Sequence, residues 1–450
     1  MNTRRHPRIH FIHVGGMGNK GTQALFKTDV LLLQNLFKGE VAMSASTTDY
    51  SGVRKLNLPL EAIIPPMVDV PYERADQLAR RYGVKRASLR YKVLMLSTLI
   101  SMCLQVSLSL LSVIAVRFGL PAPYRKNVIE CLMNCDLVIS HSDESFKETA
   151  SLLPLNPYWA ATWWTMLTAR TFDVLVSKSL NRSVILFPNS VGPFRTKIGR
   201  FLSRLALNSF SHLLIRDEIS WEILNELAIT SPKTLTYDTA LLFHSQHPVQ
   251  SGLTKPIVAV APGVYSHSLS KNEVERYVDA HAKALDVVAE RHQVSILLLP
   301  HYVSGFRFDD LWICQQIMSR MKHPEHAKLH SAETVEEYKS LFDQVDMIIS
   351  SKMHPAVLGA SGFVPILCIV YDHKQTSFFE RLTMAECTIA IRQVTYSKLL
   401  DTIEKVWRNR DRLEASLRTQ IPLWQKHVKQ TITRTLASFL EEREQETVGD

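Results

Sequence analysis

Short apolar runs alternate with longer segments of helical spacing along most of this chain. Ile9–Val14, Asp136–Ser140, Ser183–Phe187 and His212–Arg216 are short and mostly apolar, the pattern of strands buried on both faces of a parallel sheet. Thr22–Asn35, Asp143–Leu152 and Ile198–Leu207 lie between them and predict helices. A polar, turn-rich stretch from Ser245 to Pro256 separates this half from a second, which restarts with Ile257–Ala261. Ser270-Lys271-Asn272-Glu273 has capping-box form and opens a helix with apolar positions Val274, Tyr277, Val278, Leu285 and Val288. Strand Val294–Leu299, helix Val335–Phe342 and strands Asp346–Ser350 and Val364–Val370 follow. Pro355 to Phe363, rich in Ala and Gly, predicts a short helix close against a sheet, and a helical tail begins at Ser397.

Such alternation is the signature of α/β folds with parallel sheets. It predicts a Rossmann-like domain over residues 1–245, a second over 254–396, and a C-terminal helical tail over 397–450. An internal echo supports two similar domains: Cys135-Asp-Leu-Val-Ile-Ser-His141 has the pattern of Val345-Asp-Met-Ile-Ile-Ser-Ser351.

Composition narrows the partners. A hydrophobic content of 46% with 21% charged residues is that of an ordinary globular chain. The net charge of +9 favours acidic ligands or an anionic membrane surface. No basic run with interleaved aromatics marks a nucleic-acid groove, so nucleic acid is not expected as a partner. The six cysteines form no CxxC pair and no Cys/His cluster of zinc spacing. They read as reduced, buried thiols of a cytoplasmic protein, with neither metal nor cofactor implied. The N-terminus passes from basic residues straight into a strand, without the apolar stretch of a secretory signal.

Val93 to Val116 has no charged residue and is flanked by Arg90, Lys92 and Arg117. It is long enough to span a bilayer. It also holds five serines, a threonine and a glutamine, and it falls between strands of one sheet. Spanning the bilayer is therefore the least of three competing readings, beside a buried core helix and a peripheral helix lying in the membrane interface.

Candidate chemistry gathers at predicted strand ends, where open α/β sheets place ligands. The run Asp346–Ser350 delivers Ser351, Lys352 and His354; the run Val364–Val370 delivers Asp372, His373 and Lys374. Histidine titrates near neutrality, and lysine offers fixed positive charge, so this cargo suits an anion and a proton transfer. Gly15-Gly-Met-Gly-Asn-Lys-Gly21 joins strand to helix and reads either as an anion-binding loop or as a plain turn; Gly18, Asn19 and Gly21 are its leading members. Ser190 to Pro193 forms a second loop containing Gly192. Arg216 ends a strand, where a guanidinium suits a carboxylate or phosphate, and His301 follows the strand Val294–Leu299.

These motifs, in this order, resemble the polysaccharide pyruvyl transferase family. The resemblance rests on Gly18 to Ala24, Ser190 to Pro193, Arg216 to Ser220, Asp238 to Ala240, Pro300-His301 with Asp310, Lys352 to His354 and Tyr371 to Lys374, and covers about residues 9 to 395. It departs where Lys352 replaces the usual arginine, where Thr22 and Gln23 replace acidic residues, and where His141-Ser-Asp-Glu replaces a Gly-rich turn. The resemblance implies a GT-B-like fold: two Rossmann-like domains, an acceptor side and a donor side, facing an interdomain cleft. It implies phosphoenolpyruvate as donor, a saccharide acceptor, a pyruvate ketal as product and released phosphate. His354 is then the expected acid or base, with Arg216, Lys374 and Lys352 as donor-binding cations. A lipid-linked acceptor would suit an interfacial helix at the inner face of the membrane. The rival expectation on the same fold is a glycosyltransferase using a nucleotide sugar.

Overall fold

A computed structural model of the chain describes residues 6–84, 88–148, 157–245, 249–264, 269–303 and 309–449. It divides into two compact α/β units. The first comprises residues 1–17, 26–236 and 428–450, and the second residues 18–25 and 237–427.

Among the described residues of the first unit, seven parallel strands form one sheet: β1 (Arg8–Val14), β2 (Ala42–Thr47), β3 (Ala62–Ile64), β4 (Leu137–Ser140), β5 (Val184–Asn189), β6 (His212–Ile215) and β7 (Lys233–Leu235). Their spatial order is β3-β2-β1-β4-β5-β6-β7. The second unit builds a six-stranded parallel sheet from β8 (Ile257–Ala261), β9 (Ser295–Leu298), β10 (Ala327–Leu329), β11 (Met347–Ser350), β12 (Ile366–Val370) and β13 (Thr388–Ala390), in the order β10-β9-β8-β11-β12-β13. Both sheets run third-second-first-fourth-fifth-sixth, the doubly wound order with its switch point between first and fourth strands. β8 is apolar and buried at every position, as expected of a central strand covered on both faces by helices.

The internal echo has a structural basis. Asp136 and Asp346 precede the fourth strand of each sheet. The Asp136 carboxylate accepts from Arg8 N at 2.8 Å, and the Asp346 carboxylate accepts from Ile257 N at 2.7 Å. Each aspartate thus fastens the start of its strand to the strand that crosses the switch point. The capping box also forms, with Ser270 Oγ accepting from Glu273 N and Glu273 Oε2 from Ser270 N. The helix it opens, Lys271–His292, buries Val274, Tyr277, Val278, Leu285 and Val288.

Four expectations are corrected. Residues 143–148 of the expected helix Asp143–Leu152 are not helical, and the rest lie outside the described residues. Their backbone is satisfied instead by the Ser190–Pro193 loop: Gly192 N donates to Phe146 O at 2.8 Å and Glu148 N to Pro193 O at 2.9 Å. Residues 18–25 pack with the second unit although they precede it by more than 200 residues. The tail is two helices, Tyr396–Arg408 and Arg410–Gly449; the second belongs to the second unit up to His427 and to the first beyond it. Cys103 is exposed rather than buried, because it lies on the outward face of helix Leu89–Arg117.

Within the first unit, helix Pro157–Ser179 packs on β1 and β5 and is flanked by helices Leu89–Arg117 and Lys197–Leu207. Asp173 lies on it, with Oδ1 accepting from Met67 N at 2.9 Å and Oδ2 3.9 Å from His13 Nε2. Burial pushes its carboxyl up from 3.8 to about 7. An acid whose pKa is raised on folding contributes stability that is fully present below its unfolded pKa and is lost as pH rises through the folded one. The wild-type chain should therefore lose on the order of 3 kcal/mol from this group between pH 4.5 and 7.5. Asp173→Asn should lack that component. Urea midpoints of both proteins at the two pH values check it, and an Asp173→Asn difference that is the same at both would refute it.

Candidate functional site

In the second unit the candidate residues gather at the carboxyl ends of the strands beside the β8/β11 switch point. β11 ends at Ser350, and helix Met353–Ser361 begins almost at once, so His354 falls in its first turn. Ser350 Oγ donates to Lys352 O at 2.8 Å and accepts from Lys352 N at 3.1 Å, which locks the turn. Behind it, Ser351 Oγ bonds the buried Tyr277 hydroxyl.

The Lys352 ammonium lies 2.8 Å from Asp310 Oδ1, and Asp310 Oδ2 accepts from Tyr302 N at 2.8 Å. Asp310 is fully enclosed. Burial raises its carboxyl pKa, and the Lys352 charge opposes the rise. The expectation of Lys352 as a simple donor-binding cation is thus modified, because its charge is already matched by a buried carboxylate. Close approach explains Gly263 here: a side-chain carbon at that position would sit 2.5 Å from Lys352 Cε.

His354 is 8% exposed, and its side chain lies close against Gly21 of the N-terminal glycine loop. A Cβ on Gly21 would fall 2.1 Å from His354 Nδ1, so no other residue type fits without moving the imidazole. The loop is tied down at several points within this unit. Gly21 N donates to Asn19 Oδ1 at 2.8 Å, and Asn19 pairs with Tyr302 as a short antiparallel bridge. Lys20 Nζ donates to Glu333 O at 2.7 Å, and Val335 N donates to Gln23 Oε1 at 3.1 Å. The sequence distance between Gly21 and His354 conceals this contact completely.

His301, just beyond β9, stacks on His354 with ring centroids 6.3 Å apart and 18° between planes. Burial, reinforced by the positive charges of Lys352, His354 and Lys20, holds the His301 imidazole well below its ordinary range. It is therefore neutral at pH 7, and its buried Nδ1 finds no hydrogen-bond partner among the described residues. β12 is the neighbour of β11 and ends before Tyr371-Asp372, where helix His373–Arg381 begins. Gln375 Oε1 accepts from the Tyr371 and Asp372 amides at 3.0 and 3.3 Å. The Asp372 carboxylate sits 2.8 Å from His373 Nδ1 and 3.9 Å from Lys374 Nζ, so it holds both basic side chains.

Arg216 belongs to the first unit. It is 4% exposed, donates from Nε to Ser190 Oγ at 2.8 Å, and has a guanidinium nitrogen 4.0 Å from Glu144 Oε1. Asp217 and Ser220, from the same motif, have structural tasks. Asp217 caps helix Glu218–Glu226 through Ser220 N at 2.7 Å, and Ser220 Oγ accepts from Val191 N at 2.8 Å. The Ser190–Pro193 loop is thereby clasped to the end of β6. Gly192 within it has φ +78° and touches Ile223, so a side chain there would be both strained and obstructed.

A buried group that sequence reasoning missed sits at the first unit's own switch point. Asp29 Oδ2 lies 3.4 Å from His141 Nδ1 and accepts from Ser142 N at 2.9 Å, while Asp29 Oδ1 accepts from Ser142 Oγ at 3.0 Å. Its signal was an aspartate in the mostly apolar middle of the helix after the glycine loop.

The chain matches the family model described as polysaccharide pyruvyl transferase over residues 57–373. A curated relative, the amylovoran biosynthesis protein AmsJ of Erwinia amylovora, is 20% identical over 249 residues, covering 52% of this chain. The chain spans 60% of that relative's length. Among solved structures, a Listeria monocytogenes protein assigned as a UDP-N-acetylglucosamine 2-epimerase superposes with a TM-score of 0.60 at 11% identity, covering 97% of both chains. The Neisseria meningitidis UDP-GlcNAc 2-epimerase bound to UDP-GlcNAc does so with a TM-score of 0.56 at 10% identity, covering 96% of this chain and 100% of its own. The Anabaena protein HepE, in complex with UDP-glucose, gives 0.55 at 12% identity, covering 96% and 100%. At such identities these likenesses carry the fold alone, which is the GT-B class of paired parallel-sheet α/β units.

Proposed function

The chain belongs to the polysaccharide pyruvyl transferase family, and from that premise we propose that it moves the pyruvyl unit of phosphoenolpyruvate onto two hydroxyls of one saccharide. One observation carries this assignment: a buried imidazole, His354, is clamped against the Gly21 backbone beside the Lys352–Asp310 pair, on the unit that also carries Lys374. In the proposed reaction a proton adds to the methylene carbon of phosphoenolpyruvate, which becomes the ketal methyl group. The first hydroxyl oxygen bonds to the adjacent carbon, and the second displaces the phosphate there. Of the two hydroxyl protons, one balances the proton taken up by carbon and the other leaves with phosphate.

His354 is the group proposed to move the proton, a role imidazole serves near neutral pH. Lys352 and Lys374 are proposed to face the donor's two anionic groups, with Asp310 and Asp372 fixing their positions. His301, uncharged and stacked on His354, lets that ring alone change charge. Gly21 forms the wall behind the imidazole, and Gly18 and Asn19 of the same loop meet Tyr302. On this reading the second unit takes the donor and the first unit the saccharide; Arg216, expected from the sequence to bind the donor, is the first unit's cation for that donor, with Ser190 as its hydrogen-bond partner. A cytosolic donor and six free cysteines support action in the cytoplasm.

Phosphoenolpyruvate should raise the melting temperature of the full chain, since a ligand that binds only the native state stabilises it. Saccharide-dependent release of inorganic phosphate from phosphoenolpyruvate should follow. Release of a nucleotide from a UDP-sugar, with phosphoenolpyruvate left intact, would instead establish glycosyl transfer and overturn the proposal.

A further inference from the structure

Helix Leu89–Arg117 leaves an apolar face uncovered. Its buried face mixes Met95, Met102 and Val113 with polar side chains that bond into the first unit. Gln105 Oε1 accepts from Asp69 N at 2.7 Å, Ser109 Oγ donates to Met67 O at 3.4 Å, and Ser112 Oγ accepts from Tyr124 N at 3.0 Å. Its outward face carries Val93, Leu96, Ile100, Leu104, Leu111 and Ile114, each more than half exposed. Spacings of three, four and seven residues align them in one stripe. From Val93 to Ile114 the stripe extends about 32 Å. A helix that packs on a domain and faces water has the opposite arrangement. Nor is this helix free to cross a bilayer, because its inner face is fastened by side-chain bonds to the unit beneath it.

A second apolar face lies in the same layer. Helix Lys197–Leu207 exposes Ile198, Phe201 and Leu205 and carries Lys197, Arg200 and Arg204 beside them. Right-handed crossovers place the β3-to-β4, β4-to-β5 and β5-to-β6 connections on one side of the sheet. Both helices also pack against Pro157–Ser179, which lies in that layer. The two stretches of sequence that include these helices are one-signed. Residues 77–129 contain nine basic residues and no acidic one, and residues 174–216 contain seven and none. Exposed Arg90, Lys92, Lys197, Arg200 and Arg204 form no ion pair among the described residues.

We propose that this face of the first unit docks on an anionic lipid bilayer. Helix Leu89–Arg117 then lies in the plane of the membrane with its apolar stripe at the boundary of headgroups and acyl chains, and the unpaired cations meet anionic headgroups. A second copy of the chain is the poorer occupant, since two such faces would bring the unpaired cations of the two helices against each other.

The test is sedimentation of the full chain with vesicles of phosphatidylcholine, with and without phosphatidylglycerol. Binding should be more than tenfold tighter to the anionic vesicles and should weaken with added salt, since surface charge is screened. Two variants altering only exposed side chains, Leu96→Ser/Ile100→Ser/Leu104→Ser and Arg200→Glu/Arg204→Glu, should each bind at least tenfold more weakly while melting as the wild type does. Failure to associate with anionic vesicles would overturn the proposal, as would binding that neither variant changes. Lipid-independent self-association that the apolar variant abolishes would assign the face to a second copy and overturn it equally.

Discussion

Replacing His354 with alanine should lower the rate of pyruvyl transfer by about 10²–10⁴-fold, the usual worth of a positioned acid or base. Donor affinity should change only a few-fold. The reason lies in how the charges are held. Lys352 lies 2.8 Å from Asp310 and Lys374 3.9 Å from Asp372, so each cation has a carboxylate of its own beside it. The substitution removes the proton carrier and leaves the proposed anion contacts standing. His354→Gln, which keeps polarity and much of the volume but cannot titrate, should be as slow as His354→Ala. Single-turnover phosphate release together with a phosphoenolpyruvate titration of melting temperature separates the two effects. Turnover within a few-fold of wild type would sink the assignment, as would a loss matched by an equal loss of donor affinity.

Gly21→Ala should do comparable damage from the other side of the same contact. The added carbon would lie 2.1 Å from His354 Nδ1 and 2.3 Å from Cγ, so ring and loop must part. The loop resists, being held through Asn19, Lys20 and Gln23, and the ring has His301 stacked on it. A displacement of about 1 Å in a reacting group can cost 10²-fold, and turnover should fall by roughly that amount. Gly18→Ala is the control: its new carbon would meet Tyr302 Cε2 at 3.4 Å, an ordinary contact, and activity should hold. Because Gly21→Ala acts by moving His354, combining it with His354→Ala should add little to the loss of turnover. A fully additive double variant would mean that the glycine serves some other purpose.

Much of the fold is legible in the sequence because strand and helix periodicity are local properties. β8 and helix Val335–Phe342 have the limits that their apolar spacing predicts, and the Ser270–Glu273 box begins the helix it announces. Short strands were missed. β3, β7, β10 and β13 are three residues each, and β2, with the sequence Ala-Met-Ser-Ala-Ser-Thr, is too small and polar to read as buried. Segment 143–148 misled for a related reason: its spacing suits a helix, but its backbone groups find partners in a loop more than 40 residues away.

The candidate site divides along the same line. Ser350 through His354 and Tyr371 through Lys374 stand at strand ends that the sequence alone locates, and the order of motifs identifies the family. Which groups those side chains meet is settled by tertiary structure. The Lys352–Asp310 pair joins residues 42 positions apart, and the contact of Gly21 with His354 joins residues 333 apart. Likewise, the sequence shows that Val93 to Val116 is apolar and long, but not that Gln105, Ser109 and Ser112 point inward and Leu96, Leu104 and Leu111 outward. The sequence by itself determined where chain elements lie and what chemistry their ends carry, since both depend on neighbouring residues. Only the tertiary structure decided which charges are matched, which imidazole is clamped and which helix face is left uncovered, because each follows from contacts between segments far apart in the chain.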